Sequence, residues 1–345
     1  MNNVSNQHFL LSAKARSLSV KRLVKMSDDE AFDLFRELRW GKGEETACPC
    51  CGSVAKHWFI RTRRQWRCKD CKHTFSVTSG TIFAFHKLPL QDYLVAIAIF
   101  TNAVKGISAL QLSRDLDVQY KTAFVLAHKI RESLMEHRDL SALAGEIHMD
   151  GAYVNGHVRP KNRKVDRIDR RKVENQKPTK RCVFVMRQKC AEIAERQMVG
   201  GARTLTFVMH KENQADVSLL ASRFVAAGST ICADEAHAYD PLHAKFDTRR
   251  VNHQEAYRAD DGTTNNLAES YFSRFRRMQV GQVHKFGNLY LNNYANEAAY
   301  REDTRRWSNG EIFEDIGKKC VRTRTHRDWC GYWQGNKRSE ERLVA

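Results

Sequence analysis

Three carboxylates stand out by their places in the chain. Asp150 closes Glu146-Ile147-His148-Met149-Asp150, Asp234 closes Ile231-Cys232-Ala233-Asp234, and Glu269 lies in the helix-like run Thr264-Asn265-Asn266-Leu267-Ala268-Glu269-Ser270. The first two are separated by 83 residues and the last two by 34. Each is expected where an element of structure ends or begins. Taken singly, an acid at a strand end is an ordinary solvated cap. Taken together, three such acids suit hard divalent ions, which prefer carboxylate, water and phosphate oxygens. A two-metal site of this kind activates an attacking oxygen and stabilises a leaving one at a phosphodiester. A second constellation is Cys48-x-x-Cys51, a 16-residue gap, then Cys68-x-x-Cys71. Four thiolates presented from two such knuckles form a tetrahedral zinc site, and the spacing makes four unrelated buried thiols the weaker reading. Cys50 lies between two ligands and reads as a bystander.

The elements that position these groups follow from pattern. Ser27-Asp28-Asp29-Glu30 is a capping-box signature, and Phe32, Leu34, Phe35 and Leu38 continue it as a helix ending near Gly41 and packing on the cysteine module. Trp58, Phe59, Ile60 and Trp66 between the knuckles predict a small three-stranded sheet, too small to fold without its metal. Pro89 opens a helix bearing Leu94, Ile97, Ala98 and Phe100. Residues 107–116 and 119–136 then read as two helices around Asp117-Val118, the pattern of a helix-turn-helix. In that reading the second helix enters a DNA major groove with Gln119, Tyr120 and Lys121 near base edges; a plain helical bundle fits the same apolar spacing. From Gly145 the pattern changes. Strands are predicted over 146–153, 181–188, 203–209, 229–234 and 249–253. Helices are predicted over 216–227, around 236–246 with an interruption at Pro241, and over 264–278. Asp247, Glu255, Asp260 and Asp261 read as loop or turn residues, and 312–345 is basic and less patterned.

Charge points to the partner. Lys and Arg number 58 against 40 Asp and Glu, a formal net charge of +18, which favours a polyanion, nucleic acid first. The apolar run 94–100 is too short to cross a bilayer, so no membrane role is expected. Ten cysteines without a secretory signal fit a reduced, cytoplasmic protein that uses some of them for metal. Between the first two strands, 158–181 holds eleven Lys or Arg, among them Lys161, Arg163 and Lys164, against three acids. Such a run is a solvated loop that also grips phosphate without reading sequence.

These stretches together carry a resemblance. Arg39-Trp40-Gly41 before Cys48-Pro49-Cys50-Cys51-Gly52, Met149-Asp150-Gly151-Ala152-Tyr153, Ala233-Asp234-Glu235-Ala236-His237-Ala238-Tyr239, Val251-Asn252-His253, Asn266-Leu267-Ala268-Glu269-Ser270 and Gly331-Tyr332-Trp333-Gln334 occur in this order over residues 26–334. The chain resembles the bacterial insertion-sequence DDE transposases with an N-terminal zinc ribbon, insertion-sequence family fifteen-ninety-five. The resemblance implies a multidomain α+β protein: an arm and helix (1–44), a zinc ribbon (45–78), a helix-turn-helix segment (79–140), a ribonuclease-H-like mixed-sheet catalytic domain (145–303) and a basic C-terminal tail (304–345). In the family fold the first and fourth strands are neighbours, so Asp150 and Asp234 meet and Glu269 joins them from a helix. Asp150, Asp234 and Glu269 are then the catalytic ligands of Mg²⁺ or Mn²⁺, and Cys48, Cys51, Cys68 and Cys71 hold Zn²⁺. Some members carry Asn as the third acid; Glu269 takes the aligned place here, with Asn266 as the alternative. Arg276, two helical turns beyond Glu269, matches a basic DNA contact that is often Lys in relatives. His253 matches a family motif without an assigned role. The implied activity is binding of terminal inverted repeats in double-stranded DNA, cleavage of the 3′ ends and their transfer to target DNA, by a homodimer or higher oligomer. The basic, acid-free first 26 residues are compatible with a transit peptide, but the bacterial resemblance favours a DNA-contacting arm. A transposase-derived DNA-binding regulator and a structure-selective nuclease are the rival readings.

Overall fold

The computed structural model describes residues 9–169, 172–190, 200–251 and 264–344. In chain order it holds helices α1 (Val20–Val24) and α2 (Asp28–Trp40), strands β1 (Thr46–Ala47), β2 (Val54–Ala55), β3 (Trp58–Ile60), β4 (Gln65–Arg67) and β5 (Thr74–Phe75), and helices α3 (Leu90–Asn102), α4 (Ala109–Asp115) and α5 (Tyr120–Glu136). There follow β6 (Glu146–Val154), β7 (Arg181–Lys189), β8 (Gly201–Met209), α6 (Gln214–Phe224), β9 (Thr230–Asp234), β10 (Asp247–Val251), α7 (Asn266–Met278), α8 (Asn288–Asp303), α9 (Asn309–Arg322) and α10 (Arg327–Cys330). They form two compact units, one of residues up to Arg138 with Arg306–Arg338, the other Asp139–Arg305 with the C-terminal residues from Ser339.

In the first unit the capping box forms as the sequence predicts. Ser27 Oγ accepts from Glu30 N, and Glu30 Oε2 accepts from Ser27 N at 2.7 Å. The three acids of the first turn also oppose the positive end of the helix dipole. Phe32 of α2 stacks on Trp66 at 5.5 Å, and Trp40 meets the same ring edge-on at 5.0 Å. Arg39 donates to the carbonyls of Ser76, Val77 and Ser79, closing the chain that follows the ribbon onto α2. The ribbon contains the expected three-stranded sheet, β3-β4-β5, plus the β1-β2 hairpin. α4 and α5 are joined through Asp117 in the left-handed region (φ 51°). α5 is buried from Val125 to Met135, and its exposed residues lie at its start and at Glu136. The segment from 304 is more ordered than its sequence pattern suggests. α9 has its own capping box, Ser308 with Glu311, and Trp329 (2% exposed) stacks on His128 at 5.1 Å. Glu132 of α5 accepts from Trp329 Nε1 at 3.1 Å and Arg338 Nη2 at 2.7 Å.

The second unit is a five-stranded sheet in the order β10-β9-β6-β7-β8. β6, β7 and β8 are successively antiparallel, and β9 runs parallel to both β6 and β10. The first strand of this unit therefore lies beside the fourth, as expected. Strand side chains alternate between faces. Ile147, Met149, Phe184 and Met186 pack against Val217 and Leu220 of α6 and Tyr239, whereas Val154, Val183 and Val185 pack against Tyr271 and Phe275 of α7 and Leu291 of α8. Several boundaries shift by a residue or a few from the sequence reading, and three are informative. The helix predicted to reach 227 ends at Phe224, because Leu143 N bonds to Phe224 O and Ala226 N to Leu143 O, drawing 225 into an extended bridge. Asp247, read as a loop residue, opens β10, where it accepts from Thr230 Oγ1 at 3.0 Å. The helix predicted from 264 begins at Asn266. The end of the fifth predicted strand, with His253, and Glu255, Asp260 and Asp261 lie outside the described residues. No helix among the described residues is long and apolar enough to cross a membrane.

Candidate functional sites

The four ribbon cysteines converge. Cys48 Sγ and Cys71 Sγ are 3.7 Å apart, as are Cys51 Sγ and Cys68 Sγ, and all four sulfurs lie within 4.8 Å of one another. A tetrahedron of Zn–S bonds of about 2.3 Å has edges of about 3.8 Å, so the geometry fits a zinc ion. Each knuckle is a tight turn: Gly52 N and Cys68 N donate to Cys48 O and His73 O, both at 2.9 Å. Cys50 is exposed and outside the cluster.

The acidic site is set by where two strands part. β6 pairs with β9 only over Glu146–His148, opposite Thr230–Cys232. Asp150 and Asp234 each lie two residues past the last paired rung, hence on one face. Asp150 was expected at a strand end and instead lies within β6, which continues to Val154 against β7; the end that matters is that of its pairing with β9. A crevice beyond the carboxyl ends of neighbouring parallel strands is where ligands bind in such sheets. Asp150 Oδ1 accepts from Gly151 N at 2.8 Å, and Asp234 Oδ1 from Ala236 N at 2.9 Å. Arg250 fixes the turn after Asp234 by donating to the carbonyls of Asp234 and Ala236.

Glu269 comes from the first turn of α7. That turn is tied to the sheet twice. Fully buried Asn265 donates its Nδ2 to Met149 O at 3.1 Å, one residue before Asp150. Buried Arg187 of β7 donates to Leu267 O at 3.0 Å and Ser270 Oγ at 2.7 Å, and pairs with Glu302 at 2.8 Å. Burial, then the charges of Asp234, Glu212 and Glu269, push the Asp150 carboxyl up to about 7, against the pull of the Gly151 N–H. The structure thus brings the three predicted acids into electrostatic contact. Their oxygens are not all within 4.8 Å of one another, as the cysteine sulfurs are. Asn266, the alternative third position, is exposed.

The sequence reading missed Glu212. It follows β8, which runs parallel to β6 and β9, so it emerges at the same end of the sheet as Asp150 and Asp234. Burial and the Asp234 charge raise its carboxyl, while its hydrogen bond from Tyr239 opposes this. The only signal in the sequence was its place between a strand and a helix, which many solvated acids share. Glu146, four residues before Asp150 on β6, is committed to His148 at 2.9 Å and Lys189 at 2.7 Å.

The predicted DNA contacts fall on three surfaces. Gln119 caps α5, Tyr120 beside it is 56% exposed, and Lys121 Nζ lies 4.6 Å from the ring of Trp333, itself 53% exposed. Lys161, Arg163 and Lys164 are exposed on the β6–β7 connection. Arg276 is exposed on α7, its guanidinium 6.0 Å from the Phe272 ring. The β6–β7 connection folds back through Lys180, 4.2 Å over the ring of Tyr153.

Comparison with known proteins matches residues 142–303 to the family described as ISXO2-like transposase domain and residues 26–74 to the transposase zinc-ribbon domain. A protein described as an uncharacterized protein in transposable element ISH50, from Halobacterium salinarum, is 26% identical over 260 residues, covering 73% of this chain and 83% of the relative. No solved structure matches.

Proposed function

We propose that this chain, which matches the transposase zinc-ribbon domain and the ISXO2-like transposase domain in that order, is the DNA transposase of an insertion sequence. In this reading it binds the element's terminal inverted repeats, hydrolyses the 3′ end bonds and joins each 3′-OH to a target phosphodiester. The observation that carries it is the point where β6 and β9 part, with Asp150 and Asp234 on one face and the charge of Glu269 acting on Asp150. The strand order and the helix that carries the third acid support a ribonuclease-H-like catalytic domain.

Asp150, Asp234 and Glu269 offer an all-oxygen set suited to Mg²⁺ or Mn²⁺. When bound, such ions supply Lewis acidity to the attacking and leaving oxygens. The chain's own part is placement. Asn265 and Arg187 fix the helix turn bearing Glu269, and Arg250 fixes the turn after Asp234. The exposed Lys and Arg of the β6–β7 connection hold the phosphate backbone without base preference. The start of α5, with Gln119, Tyr120, Lys121 and neighbouring Trp333, reads the repeat sequence. In the first step water adds to phosphorus and the 3′ oxygen leaves as a hydroxyl. In the second that hydroxyl adds to a target phosphorus and displaces the target's own 3′ oxygen.

The test is Asp150→Asn, Asp234→Asn and Glu269→Gln, each near-isosteric. Each is expected to abolish cleavage and joining on element-end duplexes while leaving duplex binding within a few-fold of the parent. Combining them should add little further loss, because groups acting as a unit are not additive. Strand transfer by all three variants would overturn the reading. Activity in Glu269→Gln but not in Asn266→Ala would move the third ligand to Asn266.

A further inference from the structure

We propose that Glu212 is a fourth carboxylate of the ion site, sharing a divalent cation with Asp150 and Asp234; this rests on the reading of those two acids as ion ligands. The first observation is steric. Gly151, next to Asp150, lies in β6 without the positive φ that would demand glycine. What glycine supplies is space: a Cβ there would lie 2.7 Å from Glu212 Cδ and Oε2 and 2.8 Å from Oε1, so a larger residue would displace that carboxylate. The Glu212 carboxylate therefore fills the volume over the strand beside Asp150.

The second observation is how that carboxylate is held. Tyr239 OH donates to Glu212 Oε1, and the Glu212 backbone N donates to Tyr153 OH at 3.1 Å. Tyr239 is fully buried, so its hydroxyl is a fixed donor. One carboxylate oxygen and the backbone are pinned, and Oε2 has no hydrogen-bond or ion-pair partner named among the described residues. The third observation is charge. Glu212 stands near Asp150 and Asp234, and among the described residues no Lys or Arg forms an ion pair with it. Partly buried like charges are unfavourable without a counter-charge, and a neutral glutamine would accept from Tyr239 as well. The buried Asn265, whose Nδ2 bonds to the carbonyl just before Asp150, also has an Oδ1 with no hydrogen-bond partner among the described residues. A divalent cation accounts for the acids and for the oxygens left over.

The experiment is Mn²⁺ titration of the full-length, zinc-loaded chain without DNA, by calorimetry and by the Mn²⁺ electron-spin signal. Glu212→Gln should raise the Mn²⁺ Kd by about tenfold or more, with zinc content and metal-free duplex binding unchanged. Gly151→Ala, which keeps the acid but displaces it, should weaken Mn²⁺ in the same direction. The double variant should bind no more weakly than Glu212→Gln alone, because the two changes act on one contact. Tyr239→Phe, which frees Oε1, should show a smaller loss. If Glu212→Gln and Gly151→Ala both bind Mn²⁺ as the parent does while Asp150→Asn does not, Glu212 is not a ligand and the proposal is wrong. If Asp150→Asn and Asp234→Asn also bind like the parent, the ion-site reading beneath it fails instead.

Discussion

Asp150 ties chemistry to stability at the scale of one residue. The folded chain holds its proton up to about pH 7, whereas an ordinary Asp releases it near 3.8. Asp303, buried and bonded to Thr204, is pushed up to about 7 in the same way, burial being the larger cause. Between these values the folded state binds more protons than the unfolded state, so stability falls as pH rises and levels off above about 7. Without added divalent ion, the urea midpoint is therefore expected to fall between about pH 4 and pH 7. Asp150→Asn should flatten part of that slope and leave the part due to Asp303. Saturating Mg²⁺ should flatten the Asp150 part in the parent, since an ion favours the charged form. A slope of the same size in the parent and in Asp150→Asn would remove Asp150 as its source.

At the scale of elements, the placement of α7 rests on a buried network. Arg187, 1% exposed, pairs with Glu302, 2% exposed, and reaches the helix turn around Glu269. Arg274 also pairs with Glu302, at 2.6 Å. Removing one partner of a buried pair leaves a desolvated charge, a loss of about 3–5 kcal/mol. Arg187→Met is expected to destabilise the protein by that order in urea unfolding. Arg187→Met with Glu302→Met should recover much of it, because neither member of the pair is then left as a lone buried charge. A loss below about 1 kcal/mol in the single variant, the range of an exposed pair, would contradict the role given to this network. Arg187→Lys should fold yet show impaired end cleavage, because an ammonium lacks the fork that bonds helix turn and Glu302 together.

At the scale of the whole molecule, the ribbon and the sheet are separate kinds of fold. The ribbon is a small module, and such modules draw much of their folding energy from a bound ion. Stripping zinc with a strong chelator should melt the ribbon and abolish preference for element ends, while the circular-dichroism signal of the sheet unit persists. Cys48→Ser should lose zinc, and Cys50→Ser should keep it, as metal analysis would show. Full zinc in Cys48→Ser would refute the four-cysteine site.

Local signals were legible in the sequence because their physics is local. The cysteine knuckles, the Ser27 and Glu30 capping box, the α5 pattern and the β6 and β7 strands are each written within a few residues, and each forms where predicted. Asp150, Asp234 and Glu269 were found by type and order, and the resemblance supplied the pairing of first and fourth strands. Three things depended on tertiary structure. Glu212 has no local mark; it belongs to the site only because β8 runs parallel to β6 and β9. Gly151 falls inside the predicted strand with nothing local to mark its use; its missing side chain makes room for a carboxylate 61 residues away in sequence. The raised Asp150 carboxyl depends on burial and on acids from three other segments. Charge and burial add up in space, so no window of sequence contains their sum.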